Sequence, residues 1–261
     1  MKITVFWSCA GVDGSALSFH TAALLAETDH TLIVELPCLG IPRMGFVCGI
    51  SDKSRNTEAA ISYFEQYEKI PWEMLHPIGK RLYALPANVY AVPDFPVVSK
   101  VSVDTLMAFI GGLVDVSQSR GISHLVLECQ GQLNSPMTFF ALKKARKVVI
   151  PIGKPSEAAY ALASVRRLVS VYKLSADAFI LATDGNLKMI QNATSAIYED
   201  EEALEGLSVI SWDSRKIKGV VDRDGSQTAN QNNRRIWLPG LKPHSGSDPA
   251  ATTGSELTVT L

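Results

Sequence analysis

Residues 2–25 read KITVFWSCAGVDGSALSFHTAALL, and this stretch decides the fold. Residues 3–7 form a continuous β-branched and aromatic run, which is typical of a strand buried on both faces of a parallel sheet. A loop with two glycines follows, and from Ser15 onward apolar residues recur at helical spacing. In open parallel sheets the loop after the first strand is the usual phosphate cradle. The stretch therefore predicts an α/β fold with a candidate ligand loop at residues 9–15.

The same alternation of strand and helix continues along the chain. Further apolar strands are predicted at residues 31–35, 89–92, 124–128, 148–151, 179–182 and 207–210. Helices are predicted over residues 15–27, 57–67, 103–118 and 135–146, and from Pro155 onward, where a proline suits a first turn. Strand, helix and strand repeated in this way predict a three-layer α/β sandwich with a mainly parallel twisted sheet.

The composition changes towards the end of the chain. From residue 226 the sequence is rich in Ser, Thr, Gly, Asn and Pro and has few core-forming residues. We predict one domain over residues 1–225 and a polar, flexible tail over residues 226–261. Within that tail, residues 234–238 (RRIWL) are the stretch suited to docking on a surface.

Charge and hydropathy argue against several classes of protein. The 25 Lys and Arg balance 26 Asp and Glu, so the chain has no net basic field that would draw it onto nucleic acid or membrane. No apolar run reaches the roughly 18 residues of a membrane span, and the first strand leaves no room for a signal peptide. We expect a cytoplasmic bacterial protein. The four cysteines show no metal-binding spacing and are expected to be free thiols: Cys9, Cys38, Cys48 and Cys129.

Five segments, in order, resemble the ParA/MinD family of ATPases. They are the loop at 9–15, HTLIVELPCLG (30–40), HLVLECQG (124–131), ARKVVIPIGKPSEAAYALASVRRL (145–168) and LSVISWDSRKIKGVVDRDG (207–225). They look like that family's deviant Walker A loop, second strand, Walker B strand, proline-ended strand with the following helix, and the late turn near the adenine. The resemblance covers residues 2–225 and implies a P-loop NTPase fold.

The departures from the family pattern fall on the phosphate loop. The resemblance places the family's signature lysine at Cys9, its phosphate-binding lysine at Gly14 and a loop glycine at Asp13, whereas Gly11 and Ser15 match. Phosphoryl transfer needs positive charge at the phosphate, and a carboxylate about 4 Å from a phosphate costs roughly 1 kcal/mol in water and about 4 kcal/mol at an effective dielectric constant of 20. We therefore expect no catalytic residues and a degenerate phosphate loop formed by Gly11, Asp13, Gly14 and Ser15.

The same resemblance implies roles for two glutamates. Glu35 ends the second strand, and Glu128 stands where the Walker B aspartate would be. If a magnesium nucleotide binds, Ser15, Glu35 and Glu128 would lie near the metal. Otherwise no cofactor is expected. The two glutamates then form either a carboxylate pair for acid–base chemistry or former metal positions hydrogen-bonded to local backbone.

Basic residues cluster in the second half of the chain. They are Lys143, Lys144, Arg146, Lys147, Arg166 and Arg167. Because many ParA-like proteins bind DNA, these residues are candidates for a nucleic-acid surface. The alternative is a solvated helix end, since cations stabilise a helix C-terminus.

The resemblance implies a pseudo-ATPase that keeps the fold and a homodimer surface and acts as a scaffold or localisation factor with protein partners. The TadZ/CpaE group of pilus-assembly localisation proteins has members with atypical Walker A loops, which suggests recruitment to a membrane-associated assembly. An N-terminal receiver-like domain is common in that group, and we expect none in this protein. The alternatives are a weakly active nucleotide switch in DNA partition or cell-division positioning, and a DNA tether.

Overall fold

The computed structural model describes residues 1–37, 41–52, 54–88, 100–131, 135–174, 176–185, 187–198 and 207–212. The strand predicted at 89–92, the tail predicted at 226–261 and Cys38 lie outside these residues. All other predicted strands and helices are present in the described part of the chain.

The strands form one eight-stranded sheet in the order β3-β4-β2-β5-β1-β6-β7-β8. They are β1 (Lys2–Ser8), β2 (Thr31–Glu35), β3 (His76–Pro77), β4 (Leu82–Leu85), β5 (His124–Gln130), β6 (Lys147–Ile152), β7 (Ala178–Thr183) and β8 (Leu207–Ser211). Every pairing is parallel except that of β3 with β4. The predicted mainly parallel sheet is confirmed.

Helices cover both faces of this sheet. They are α1 (Ser15–Leu25), α2 (Met44–Val47), α3 (Thr57–Tyr67), α4 (Val103–Ser119), α5 (Pro136–Lys144), α6 (Pro155–Ser170) and α7 (Leu187–Tyr198). Alternate residues of β1 face opposite ways, so Val5 and Trp7 pack with α3 to α7, whereas Phe6 packs with α1 and α2. The result is the predicted three-layer α/β sandwich. Within the described residues, no helix has the length and apolar composition needed to cross a membrane.

The register of the central strands determines which residues share an edge of the sheet. Ser8 of β1 lies beside Gln130 of β5, and Glu35 of β2 lies beside Glu128 of β5. We call this side, where the loops after β1, β2, β5 and β6 meet, the carboxyl edge. The opposite side, where Lys2 of β1 lies beside His124 of β5, is the amino edge.

Candidate functional site

The loop between β1 and α1 has the shape of a phosphate cradle. It begins with a turn in which the Gly11 N–H donates to the Ser8 carbonyl at 3.1 Å, and Gly11 has a positive φ of 79°, which favours glycine. Gly14 precedes the first turn of α1, and its carbonyl accepts from the Ser18 N–H at 2.8 Å. The N-terminus of α1 therefore points its free N–H groups into the loop.

The chain's own carboxylate occupies that position. Asp13 Oδ1 accepts hydrogen bonds from the Ser15 backbone N–H at 3.0 Å and from Ser15 Oγ at 2.8 Å. Asp13 Oδ2 lies 2.8 Å from Nη1 of Arg43, which comes from the segment just before α2. Helix N-termini attract anions because their N–H groups are unpaired and carry partial positive charge. Asp13 therefore supplies internally the negative charge that an external phosphate would bring.

A second Asp-x-Ser turn in the chain makes the same local hydrogen bonds as the turn at Asp13. Asp52 Oδ1 accepts from the Ser54 N–H at 2.8 Å and from Ser54 Oγ at 2.7 Å, and Asp52 Oδ2 accepts from Arg55 Nε at 2.7 Å. Aspartate commonly caps the residue two positions later in this way. The turn at Asp52 is exposed, whereas the serine after Asp13 is fully buried and contacts a second acid.

Ser15 links Asp13 to the interior of the protein. Its Oγ lies 2.5 Å from Oε1 of Glu128, and one turn further along α1 the Ser18 hydroxyl donates to Oε2 of Glu128 at 3.1 Å. Ser15 and Glu128 are both fully buried, and Asp13 is exposed. A continuous path of polar contacts therefore leads from the surface of the loop to the centre of the sheet.

The hydrogen count along this path assigns a proton to Glu128. A serine hydroxyl carries one hydrogen, so Ser15 Oγ can donate to only one of the two carboxyl groups it contacts. Burial raises the pKa of Glu128 to about 8, and the nearby charge of Glu35 raises it further, against the lowering effect of the serine hydroxyls. The raised pKa favours the protonated form of Glu128 at neutral pH, in which one hydrogen lies between Glu128 Oε1 and Ser15 Oγ and the other is available to Asp13.

Glu35 is held by local backbone. Its carboxylate accepts from the N–H groups of Arg43 at 2.7 Å, Met44 at 3.2 Å and Ala87 at 3.0 Å. Burial raises the pKa of Glu35 to about 7, while these three hydrogen bonds lower it. Of the two interpretations of the glutamates, the contacts of Glu35 match the one in which a former metal position is hydrogen-bonded to local backbone. Nothing in these contacts aims Glu35 at a reacting group.

The side chains expected near a magnesium ion are engaged within the protein. Among the described residues no group of three metal-binding side chains is brought together. Ser15, Glu35 and Glu128 are near one another, but their oxygen atoms are engaged as donors or acceptors within the protein. The assignment of these three residues as metal ligands stays a prediction.

The packing around Gly14 leaves little room for a lysine side chain at this position. A Cβ at this position would lie 3.2 Å from both Pro151 Cγ and Ser8 Oγ, which is tighter than an ordinary van der Waals contact. Any larger residue at Gly14 therefore requires Ser8 or Pro151 to move by a few tenths of an ångström. The loop is packed around glycine at the position that the resemblance assigns to the phosphate-binding lysine.

The cysteines near the loop are thiols. Among the described residues, Cys9, Cys48 and Cys129 form no disulfide. Burial raises the pKa of the Cys9 thiol to about 12, and burial also raises the pKa of the Cys48 thiol. Arg43, a basic residue of the neighbouring segment, is paired with Asp13. A thiol without its thiolate form is a poor nucleophile.

The basic residues lie at the amino edge, away from the loop. Lys143 and Lys144 end α5, and Lys147 begins β6. Burial lowers the pKa of Lys147, and the charges of Lys2 and Arg146 lower it further, so Lys2 belongs to the same cluster. Sequence reasoning missed Lys2, although its position at the start of a strand next to β6 was a usable signal. Arg166 and Arg167 lie in the second half of α6.

The known proteins that resemble this chain do so in their structure. No protein-family model and no curated relative matches the chain. A ParA family ATPase from Chlorobium tepidum TLS superposes with a TM-score of 0.63 at 12% identity, over 84% of this chain and 88% of that chain. The MinC:MinD cell division complex from Aquifex aeolicus gives 0.57 at 15% identity, over 81% of each chain. The chain has the fold of the ParA/MinD ATPases.

The ParA/MinD fold is not confined to partition and division proteins. Cobyrinic acid a,c-diamide synthase from Mycobacterium smegmatis, solved with ADP and magnesium, superposes with a TM-score of 0.56 at 14% identity, over 78% of this chain and 86% of that chain. The P-loop NTPase fold expected from the five sequence segments is thus confirmed. At these identities the likeness concerns the fold, and the chemistry has to be argued from the site.

Proposed function

We propose that this protein is a pseudo-ATPase with the ParA/MinD fold that acts as a scaffold or subcellular localisation factor without bound nucleotide. The observation that carries this proposal is the Asp13 carboxylate, which caps Ser15 at the N-terminus of α1 and pairs with Arg43 at 2.8 Å. The position that attracts phosphate in this type of loop already holds a charge-neutralised anion.

The energetics favour exclusion of ATP. A phosphate entering the loop would meet Asp13 and would have to replace its two hydrogen bonds from Ser15. It would gain neither loop lysine, because Cys9 and Gly14 stand at those positions. Loss of a single charge-stabilising donor typically costs about 10²–10³ in rate, so two losses and an added carboxylate leave no effective hydrolysis.

The fold without turnover suits a role in positioning other proteins. The Aquifex aeolicus neighbour was solved as a complex of MinD with a protein partner, MinC. We propose that this chain likewise works through protein partners, as a homodimer recruited from the cytoplasm to a membrane-associated assembly, as in pilus assembly or secretion. Gel filtration with light scattering tests the dimer directly.

Removing Asp13 tests the proposal. Asp13→Gly frees the Ser15 N–H and Arg43, so we expect pyrophosphate to bind this variant in calorimetry while the unmodified chain gives no binding heat. Asp13→Gly combined with Gly14→Lys should extend this to Mg-ATP, with Ser8 and Pro151 shifting to admit the lysine. Asp52→Gly, which removes the exposed copy of the turn, is the control and should bind neither. Equal binding by the unmodified chain and Asp13→Gly would overturn the proposal.

The alternative function is a weakly active, nucleotide-dependent switch in DNA partition or cell-division positioning. The retained loop shape favours it, because Gly11 and Ser15 stand as in the family and α1 still begins at Ser15. A phosphate-release assay separates the two. Release that depends on magnesium and is lost in Ser15→Ala would support the switch and exclude the pseudo-ATPase.

A further inference from the structure

The polar contacts at the carboxyl edge close into a ring. Glu35 of β2 lies beside Glu128 of β5 in the sheet, and Glu128 contacts Ser15 at the start of α1. Ser15 bonds to Asp13, and Asp13 pairs with Arg43 at 2.8 Å. The backbone N–H of Arg43 completes the ring, because it donates to the Glu35 carboxylate at 2.7 Å. Two strands, the start of α1 and the segment that carries α2 are therefore joined by one set of contacts.

One link of this ring lies at the surface. Glu35, Glu128 and Ser15 are each at most 1% exposed, whereas the side chains of Asp13 and Arg43 are 44% and 42% exposed. Breaking a buried link leaves a polar group without a partner in the interior, which is costly, but water solvates both members of an exposed pair when they separate. The ring therefore opens most readily between Asp13 and Arg43.

The segment of residues 41–50, which we call the α2 segment, is attached to the rest of the protein through this ring. A helix of four residues is not stable by itself, so the position of α2 depends on its attachments. They include the side chain of Met44, which is fully buried in the apolar cluster beside α1, and the contacts of Arg43 with Asp13 and Glu35. Phe46 lies in the same segment with 72% of its surface exposed.

We propose that the Asp13–Arg43 pair is a clasp that holds the α2 segment closed over the buried carboxyl groups. This proposal rests on the proposed function, since the carboxylate that fills the phosphate position is also the one that holds the segment. The negative charge that fixes the α2 segment belongs to the chain, so the segment and its exposed Phe46 keep their position without a bound ligand. Salt that screens the pair opens the clasp.

Labelling of cysteines in the full chain tests the clasp, and Cys48 is a native reporter within the α2 segment. Burial raises the pKa of the Cys48 thiol, and the charges of Glu35 and Glu128 raise it further, so this thiol lies near the buried carboxyl groups. It should react when the segment opens and water reaches it. Iodoacetamide is the probe, and peptide mass spectrometry identifies the labelled residue. Cys129, fully buried in β5, reports unfolding of the whole domain.

Arg43→Ala removes the clasp and leaves the backbone of the loop unchanged. Because an exposed ion pair changes an equilibrium by about two- to fivefold, labelling of Cys48 should become about two- to fivefold faster. Arg43→Lys keeps the charge and should recover part of the original rate. High salt should accelerate the unmodified chain and leave Arg43→Ala unchanged. Arg55→Ala breaks the similarly exposed pair with Asp52, at 2.7 Å, and is the matched control that should leave the Cys48 rate unchanged.

Pyrophosphate separates the clasp from the proposed function. Asp13→Gly should also label faster at Cys48, and bound pyrophosphate should slow the labelling again, because it replaces the carboxylate opposite Arg43. Pyrophosphate that binds this variant without slowing the labelling would overturn the clasp and leave the pseudo-ATPase standing. Faster labelling in Arg43→Ala, with no pyrophosphate bound by Asp13→Gly, would support the clasp and count against the pseudo-ATPase. Equal Cys48 rates in the unmodified chain and Arg43→Ala, or Cys129 labelled as fast as Cys48, would overturn the clasp.

Discussion

Charged side chains are paired within the protein at one edge of the sheet and exposed to solvent at the other. At the carboxyl edge Asp13, Ser15 and Glu128 satisfy one another, and Arg43 neutralises the outermost carboxylate. At the amino edge Lys143, Lys144 and Lys173 are exposed to solvent. In open parallel sheets the carboxyl edge is the usual ligand site. We propose that in this protein the chain itself closes that edge.

The largest change in the free energy of unfolding should come from Ser15, at the centre of the carboxyl edge. Ser15→Ala should lower the free energy of unfolding by about 2–4 kcal/mol, because it leaves buried Glu128 Oε1 without its partner and frees Asp13. Urea denaturation measures this. Ser54→Ala, at the exposed copy of the turn, should change stability by less than about 0.5 kcal/mol. If the two variants lose the same stability, the network at the carboxyl edge is no more than an ordinary turn.

The next largest effect is a dependence of the free energy of unfolding on pH. The folded protein holds a proton on Glu128 up to pH about 8, whereas an unfolded glutamate releases it near 4.5. The contribution of Glu128 to stability is therefore full below about pH 4.5 and is lost as pH rises towards 8. Between pH 5 and 8 the unmodified chain should lose about 2–3 kcal/mol more stability than Glu128→Gln, which stays neutral throughout.

Urea midpoints for the two proteins at several pH values give that difference, and it is independent of the histidines because they are common to both. A Glu128→Gln chain with the same pH dependence as the unmodified chain would contradict the proton assignment.

A smaller effect is expected at the surface of the closed edge. Arg43→Ala should cost about 0.5–1 kcal/mol, because the side chains of Arg43 and Asp13 are 42% and 44% exposed and solvent screens their attraction. Arg146→Ala breaks the Asp177 pair at the amino edge, where the side chains are 61% and 56% exposed, and should cost less than Arg43→Ala. Thermal unfolding at low and high salt distinguishes the two. A larger loss for Arg146→Ala would reverse the comparison.

The smallest effect on stability belongs to the exposed cations. Lys143→Gln with Lys144→Gln should change the free energy of unfolding by less than about 0.5 kcal/mol, mainly through the weakened helix end of α5. If this double variant unfolds the protein instead, these lysines serve the fold and the two edges are not distinct.

Most of the fold could be predicted because its strands are apolar runs of four residues or more that alternate with helical patterns. These runs predict β1, β2 and β5 to β8, and helical spacing predicts α3 at Thr57–Tyr67. β3 and β4 were not predicted: β3 has only two residues, and the four residues of β4 directly follow no helical segment that would mark them as part of the repeat. Both lie in the stretch that the sequence presents as irregular.

The site was predictable in outline but not in its contacts. The positions of Asp13, Ser15, Glu35 and Glu128 followed from the resemblance to the ParA/MinD motifs. The pairing of Asp13 with Arg43 joins residues far apart in sequence, and Ser18 was not singled out because a serine on a helix carries no signal of its own. Whether a polar group is satisfied internally depends on such distant partners, so the sequence could suggest a degenerate loop without showing what fills it.

Calorimetric titration of Mg-ATP into the unmodified chain tests the central claim most directly. The claim is that Asp13 occupies the phosphate position and that the loop no longer accepts nucleotide. We expect only the heat of dilution at micromolar protein and millimolar nucleotide. A saturable isotherm with a micromolar Kd would show that phosphate displaces Asp13 readily, which would contradict the claim that Asp13 closes the loop.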